Sequence, residues 1–178
     1  MFSRDIRLIL ALAVLAAILG GIAQHWQQAP AAESDASSLV GQPLPAITLL
    51  DLEGRRHALS DYRGRRVLLN FWASWCGPCL EEMPALNRAQ ENFGDQGAIV
   101  LGIAMDEPDR VRVFLANHPV SYPILLGEME FPSTSFKLGD RRETLPFSVL
   151  IGANGSIIAT HSGVLPELEL QQWLAPAG

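Results

Sequence analysis

Two cysteines, Cys76 and Cys79, are the residues of this chain best suited to chemistry, and they are its only thiols. They lie in the stretch FWASWCGPCLEEMP, separated by Gly77 and Pro78. Cysteine pairs at this spacing bind metal ions, form structural disulfides or exchange disulfides with other molecules. The rest of the sequence must distinguish among these three uses.

Metal binding is disfavoured because the cysteine pair supplies only two ligands and the sequence shows no second pair of ligands at a suitable spacing. A tetrahedral zinc site takes four ligands, usually two cysteine pairs or one pair with histidines at a defined spacing. The chain has four histidines, which are scattered: His25, His57, His118 and His161. The sequence therefore predicts no metal site and no cofactor other than the cysteine pair itself.

A purely structural disulfide is also disfavoured. A bond between Cys76 and Cys79 would close a very small loop. A small loop restricts the unfolded chain less than a long loop does, so the gain in stability is small. The favoured interpretation is redox exchange, in which the pair alternates between a disulfide and two thiols.

The elements predicted around the pair suit this chemistry. Val67–Trp72 reads VLLNFW, an apolar run typical of a strand that is buried on both faces. Cys79–Phe93 has helical spacing, and Pro78 suits the first turn of a helix. Cys76 then lies at a helix N-terminus, where unpaired N–H groups and the helix dipole stabilise a thiolate. We expect Cys76 to attack a substrate disulfide and Cys79 to resolve the mixed disulfide.

The remaining sequence alternates strands and helices, and finishes with two adjacent strands and a helix. This pattern predicts an α/β fold with a mixed sheet, partly parallel, and helices on both faces. The predicted strands are Ile47–Leu50, Arg56–Leu59, Ala98–Ala104, Tyr122–Leu126, Pro146–Ile151 and Ser156–His161, and the further predicted helices are Asp109–Asn117, Ser133–Leu138 and Leu165–Leu174. In the last helix we expect Leu168 and Trp173 to pack inward.

Residues 1–26 are predicted to be a signal anchor. Arg4 and Arg7 precede Leu8–Ala23, an uncharged run that is slightly short for a membrane span but within tolerance. A cleaved signal peptide is the alternative. Because positive residues stay in the cytoplasm, the rest of the chain is expected outside the membrane, in an oxidising compartment such as the periplasm. Residues 27–38 are predicted to be a flexible tether, and residues 39–178 the folded domain.

The charge balance narrows the choice of partners. The 178 residues include 13 basic and 19 acidic side chains, which gives a net charge of −6. A nucleic-acid partner usually requires a basic face, so none is expected. The membrane is expected to be contacted through the N-terminal segment.

The motif WCGPC resembles the active site of thioredoxins. It follows an apolar strand, and Pro84 lies five residues after Cys79, where the thioredoxin active-site helix has its kinking proline. Thr144-Leu145-Pro146 resembles the family's cis-proline loop. The resemblance implies a thioredoxin-like fold, a redox-active disulfide and a substrate-binding surface that includes Trp75, Gly77, Pro78, Leu145 and Pro146.

Three further features resemble the membrane-anchored TlpA/ResA-like branch of the superfamily. They are the N-terminal anchor, the leading β-hairpin and an extra βα insertion, GAIVLGIAMDEPDRVRVFLANH. Members of this branch are exported thiol–disulfide oxidoreductases, often reductases in cytochrome c maturation or copper-centre assembly. The resemblance implies protein thiol and disulfide substrates and a membrane electron donor of the DsbD type.

The group that handles protons differs from that of thioredoxins. Asn70 occupies the position of their buried aspartate and cannot titrate. The TlpA/ResA-like branch often has a glutamate three residues after the second cysteine, which is Glu82 here. Residues three apart are neighbours on a helix, so we expect Glu82 to take the Cys79 proton and to raise the pKa of nearby thiols. Glu81 is expected on a solvated face.

The dipeptide between the cysteines bears on the direction of exchange. Gly77-Pro78 is the dipeptide of reducing thioredoxins and favours a reductase. A periplasmic oxidase or isomerase is the alternative, because the potential of the pair sets the direction. A Sco-like copper metallochaperone is less favoured since those proteins use a three-residue spacer, and a peroxidase is weaker still. Specificity is expected to reside partly in Phe131–Pro146, and Trp72 is expected in the core.

Overall fold

The structure is a computed structural model, and it describes residues 39–94 and 96–176. The predicted signal anchor, residues 1–26, and the predicted tether, residues 27–38, lie outside the described residues. Within the part of the chain that is described, no helix combines the length and the apolar composition needed to cross a membrane.

Residues 39–94 and 96–176 contain one mixed sheet of seven strands. The strands are β1 (Thr48–Asp51), β2 (Arg56–Ala58), β3 (Val67–Trp72), β4 (Ile99–Ala104), β5 (Ile124–Leu126), β6 (Phe147–Ile151) and β7 (Ile157–Ser162). Their spatial order is β2-β1-β5-β4-β3-β6-β7. The central strands β3, β4 and β5 are parallel, whereas β6 and β7 on one side and β1 and β2 on the other pair antiparallel.

The same described residues form four α-helices and one 3-10 helix. They are α1 (Gly77–Phe93), α2 (Pro108–Asn117), α3 (Thr134–Lys137), α4 (Glu167–Leu174) and the 3-10 helix Leu59–Tyr62. Apolar residues of α1, α2 and α4 pack together against one face of the sheet. The other face is covered by shorter segments, which include the 3-10 helix and the residue that follows α3. The mixed sheet flanked by helices is therefore confirmed.

Strand β3 shows why the sheet is central to the domain. All six of its residues are buried, as the run VLLNFW predicts. Successive side chains of a strand point to opposite faces. Leu68 and Trp72 accordingly belong to the cluster under α1, whereas Leu69 and Phe71 belong to the cluster on the other face. The predicted bounds of β3 are confirmed.

Two predicted strands begin later than expected, in each case after a proline. The prediction Tyr122–Leu126 becomes β5, which begins at Ile124, and the prediction Pro146–Ile151 becomes β6, which begins at Phe147. Proline has no N–H to donate to a ladder, so it lies at the beginning of a strand or outside it. The hairpin β6–β7 turns at Gly155, whose φ of 83° suits glycine.

The parallel strands bring the chemistry to one edge of the sheet. β3, β4 and β5 run in the same direction, so their carboxyl ends meet at that edge. β6 runs in the opposite direction and begins there, because Phe147 pairs with Phe71 near the end of β3. The segments that follow β3, β4 and β5 therefore converge with the segment that precedes β6.

The prediction that Leu168 packs inward is wrong. The side chain of Leu168 is 70% exposed, whereas Leu170 is 1% exposed. Helix α4 begins at Glu167, and its buried face consists of Leu170, Trp173 and Leu174, which have the spacing of one helical face. Leu168 lies two residues before Leu170 and so projects from the other side. The inward packing of Trp173 is confirmed.

This difference predicts unequal effects of two substitutions in one helix. We expect Leu170→Ala to lower the free energy of unfolding by about 2–5 kcal/mol, because it leaves a cavity in the core cluster that α4 shares with α1 and the sheet. The matched control Leu168→Ala is expected to change it by less than about 0.5 kcal/mol. Equilibrium denaturation of the two variants measures both values, and equal losses would contradict the burial described here.

Candidate active site

Cys76 is the residue from which helix α1 begins. It directly precedes the helix in an extended conformation, and the N–H of Cys79 donates to its Sγ at 3.3 Å. The two residues form a disulfide. Pro78 lies in the first turn, where its missing N–H costs no hydrogen bond. The expected placement of Cys76 at a helix N-terminus is confirmed. The N–H groups and the dipole at a helix N-terminus generally favour the thiolate form of a reduced cysteine.

The surroundings of the disulfide are apolar and open on one side. Both cysteines are buried, whereas Gly77 and Pro78 between them are exposed. Trp75 is 66% exposed and directly precedes Cys76, so its ring is available to a partner. Trp72 is fully buried and packs against Phe114, with 5.3 Å between the ring centroids. Trp72 therefore belongs to the core, as expected.

The loop before β6 reaches the same edge. The Leu145–Pro146 peptide bond is cis, and the carbonyl of Pro146 accepts a hydrogen bond from the N–H of Gly163 at 2.8 Å. Because β6 pairs with β3 from Phe147 onward, Pro146 lies just beyond the end of that ladder, on the side where Cys76 follows β3. Leu145 is half-buried and packs against both core clusters. The sheet thus brings together the two segments predicted to bind substrate.

The stretch that was expected to carry specificity also ends at this edge. Residues 127–146 connect β5 to β6. Phe131 is highly exposed and lies 4.7 Å, centroid to centroid, from Phe136, over which the Arg141 guanidinium is placed at 4.5 Å. These side chains present an apolar and cationic surface next to the loop that carries Pro146.

Glu82 is a buried carboxylate on α1, three residues after Cys79. It is 2% exposed, and both of its oxygens accept hydrogen bonds. Oε2 accepts from Asn70 Nδ2 at 2.9 Å, and Oε1 accepts from the N–H of Leu165 at 2.7 Å. Burial raises the pKa of Glu82, and the two hydrogen bonds oppose that rise only in part. A carboxyl group with a raised pKa is suited to accept and release a proton near neutral pH.

Asn70 links this carboxylate to the sheet. Its side-chain amide donates both to Glu82 and to Ser148 Oγ, the latter at 3.1 Å, across the paired strands β3 and β6. Sequence reasoning identified Asn70 as a non-titratable replacement but did not foresee that it holds Glu82. Ser148 and Leu165 were missed because they lie far along the chain. Glu81 is exposed, as expected.

A second buried carboxylate, Asp106, was also missed. It follows β4 and is 4% exposed. Its Oδ2 accepts from the backbone N–H of Ser74 at 3.0 Å and from Ser74 Oγ at 2.5 Å. One signal could have found the pair: Ser74 and Asp106 each lie two residues beyond the last residue of adjacent, parallel strands, β3 and β4.

Metal ligands are not gathered at the site. Within residues 39–94 and 96–176, no three or more His, Cys, Asp or Glu side chains are placed to hold a metal ion. The described histidines have other contacts: His57 Nε2 lies 2.9 Å from Asp51 Oδ2, and His161 Nε2 lies 3.2 Å from the carbonyl of Val164.

Comparison with known proteins agrees with this geometry. The model of the AhpC/TSA family matches residues 40–160. Thiol-disulfide oxidoreductase ResA of Geobacillus thermodenitrificans (strain NG80-2) is 35% identical over 136 residues, which cover 76% of each chain. Thioredoxin-like protein YneN of Bacillus subtilis (strain 168) is 31% identical over 137 residues, which cover 75% of this chain and 78% of that protein.

A solved structure shows the same architecture. A protein from Chlorobium tepidum, described as a thiol:disulfide interchange protein DsbE, aligns with a TM-score of 0.65 and 30% identity, over 74% of this chain and 92% of that one. The family match contains the cysteine pair, Glu82 and Pro146. The chain therefore has a thioredoxin-like fold and belongs to the AhpC/TSA family.

Proposed function

We propose that this chain is a thiol–disulfide oxidoreductase that exchanges disulfides with partner proteins and acts as a reductase outside the cytoplasmic membrane. The observation that carries the proposal is the Cys76–Cys79 disulfide at the start of α1, with the Cys79 N–H directed at Cys76 Sγ. The similarity to ResA, YneN and the Chlorobium tepidum protein supports the same activity.

The proposed reaction begins with the reduced pair. The Cys76 thiolate attacks one sulfur of a partner disulfide, the partner S–S bond breaks, and the other partner sulfur leaves and takes up a proton. Cys79 then loses its proton and attacks Cys76 Sγ. The mixed disulfide breaks, the second partner thiol is released, and the Cys76–Cys79 disulfide forms. The partner gains two electrons and the pair loses two.

Glu82 is the proposed acceptor of the Cys79 proton. It lies three residues from Cys79 on α1, and burial raises its pKa. Because Asn70 and the Leu165 N–H hold both carboxylate oxygens, the group is oriented before the resolving step. Its charge, in a site with little water, also disfavours a second negative charge on the nearby sulfurs.

The reductive direction needs an external source of electrons. The proposed electron donor is a membrane protein of the DsbD type. The folded domain is proposed to lie on the outer side of the membrane, attached to it by the N-terminal anchor. The Gly77-Pro78 dipeptide supports the reductive direction, and cytochrome c maturation is the candidate process. The surface formed by Trp75, Gly77, Pro78, Leu145 and Pro146 is proposed to contact the partner. An oxidase or isomerase is the alternative.

The order of the two cysteines can be tested by trapping. With Cys79→Ala, the mixed disulfide on Cys76 has no resolving thiol, so a covalent complex with a protein disulfide substrate should accumulate. With Cys76→Ala, such a complex should form much more slowly, because Cys79 lies inside α1 and lacks the position at the helix N-terminus that favours a thiolate. Non-reducing electrophoresis and mass spectrometry identify the complex, and preferential trapping by Cys76→Ala would reverse the assignment.

The role of Glu82 can be tested with Glu82→Gln. We expect release of the partner from the mixed disulfide to slow at least about 10-fold at neutral pH, because a positioned base contributes that much or more. We also expect Cys76 alkylation to reach its midpoint at lower pH, since a neighbouring negative charge is removed. Glu81→Gln, the exposed neighbour, is the matched control. Unchanged pH profiles in Glu82→Gln would contradict the role.

The same substitution has a predicted effect on stability. Glu82 has a raised pKa in the folded chain, so its neutral form favours folding and its ionised form costs free energy. The contribution is present below the ordinary glutamate pKa of 4.5 and is lost as the pH rises through the raised value. Denaturation curves measured across this pH window should therefore show that the free energy of unfolding of the unaltered chain falls as the pH rises. The Glu82→Gln variant should not show this fall.

The direction can be tested by measuring the reduction potential of the full chain against a glutathione or dithiothreitol buffer. A value near roughly −270 mV, that of thioredoxin, is expected for a reductase. A value near roughly −120 mV, that of DsbA, would instead support the oxidase.

A further inference from the structure

We propose that Ser74 and Asp106 form a positioning pair that holds the turn carrying Trp75 and Cys76, and so sets the reactivity of Cys76. This inference rests on the proposed thiol–disulfide exchange. Neither residue is assigned a contact with substrate, so both are positioning residues rather than catalytic ones.

Both carboxylate oxygens of Asp106 accept hydrogen bonds. Its Oδ2 accepts hydrogen bonds from both the N–H and the hydroxyl of Ser74, and its Oδ1 accepts one from the N–H of Glu107 at 2.8 Å. The Arg110 guanidinium lies 3.9 Å from Oδ1. A carboxylate this buried is costly unless hydrogen bonds compensate its lost hydration. Its two oxygens, with these donors, form a rigid link between the ends of β3 and β4.

The link acts on the turn that precedes the helix. The Cys76 N–H donates to the carbonyl of Ala73 at 3.1 Å and closes a four-residue turn, with Ser74 as its second residue and Trp75 as its third. The Met105 N–H also donates to the carbonyl of Trp72 at 2.7 Å, so the backbone is tied just before the turn. Fixing Ser74 therefore fixes the direction in which Trp75 projects and the point at which Cys76 enters α1.

The position of Cys76 matters for the stability of its thiolate. The Cys79 N–H stabilises a charge on Cys76 Sγ only while the sulfur stays within hydrogen-bond reach of it. Freeing the turn lets the sulfur leave that position, and the thiolate fraction at neutral pH falls. Simple electrostatics predicts the opposite sign for loss of Asp106, because removing a nearby negative charge favours a thiolate.

Asp106→Asn tests which of these two effects is larger, and Ser74→Ala tests the positioning effect alone. The asparagine side chain has one acceptor oxygen, whereas Asp106 uses one oxygen for Ser74 and the other for the Glu107 N–H. The NH₂ group must then face a backbone N–H, so one of the two connections is lost together with the charge. Ser74→Ala removes the hydroxyl and leaves every charge in place, and Ser74→Thr restores the hydroxyl.

The experiment measures alkylation of Cys76 by iodoacetamide in the reduced full chain across pH, and exchange with a protein disulfide. We expect alkylation at neutral pH to slow about 3-fold in Ser74→Ala and about 10-fold in Asp106→Asn, with similar losses in exchange. Ser74→Thr should return both rates to within about 2-fold of the unaltered chain. The alkylation midpoint should move to higher pH in Ser74→Ala and in Asp106→Asn.

Asp51→Asn is the matched control. Asp51 is also a buried carboxylate that closes a turn, since it accepts from the N–H groups of Glu53 and Arg55, but it lies on β1, which β5 and β4 separate from β3 in the sheet. It should alter stability without altering Cys76 alkylation. A lower or unchanged alkylation midpoint in Asp106→Asn, or equal slowing in Ser74→Thr and Ser74→Ala, would overturn the inference. Loss of exchange in the unaltered chain would refute the proposed function instead, because alkylation needs no partner.

Discussion

The chemistry of this chain depends on one local constraint: only four residues separate the end of β3 from the start of helix α1, while both elements stay packed in the core. That constraint places Cys76 at the first unpaired N–H groups of the helix, with the Cys79 N–H directed at its sulfur. β3 is held by parallel and antiparallel neighbours and is buried on both faces. The reactive position therefore follows a strand that is fully buried and paired on both sides, and such packing limits how far the sulfur can move.

Charge around the disulfide is controlled by burial and by neutral donors. Glu82 lies on α1, and its two oxygens accept hydrogen bonds from a side-chain amide and a backbone N–H. Asp106 follows β4, and its two oxygens accept three hydrogen bonds from Ser74 and Glu107. One carboxylate handles protons in the proposed reaction, and the other holds a turn. The two buried carboxylates have different proposed roles because Glu82 lies three residues after Cys79 on α1, whereas Asp106 is hydrogen-bonded to the turn that precedes Cys76.

Local sequence was sufficient for the elements whose residues are fully buried or strongly periodic. The bounds of β3, the position of Cys76 at the N-terminus of α1 and the mixed sheet could be predicted because the apolar run and the WCGPC motif act over short distances. Leu168 was misplaced because two leucines in α4 compete for the buried face, and only packing against the sheet decides between them. Ser148, Leu165 and Asp106 act through contacts between residues distant in sequence, which periodicity cannot reveal.

The bridge from Ser148 through Asn70 to Glu82 also limits how this site can vary. Thioredoxins carry an aspartate where this chain has Asn70, and an aspartate there would face the Glu82 carboxylate across the distance now spanned by a 2.9 Å hydrogen bond. Two buried carboxylates at this distance repel each other when both are ionised. The pKa of one of them would therefore rise strongly, and that acid would stay protonated. The proposed reaction therefore uses a single mobile proton carrier near the disulfide, Glu82. A related protein can carry this acid at position 70 on the strand or at position 82 on the helix. Moving it from one position to the other requires substitutions at both positions together.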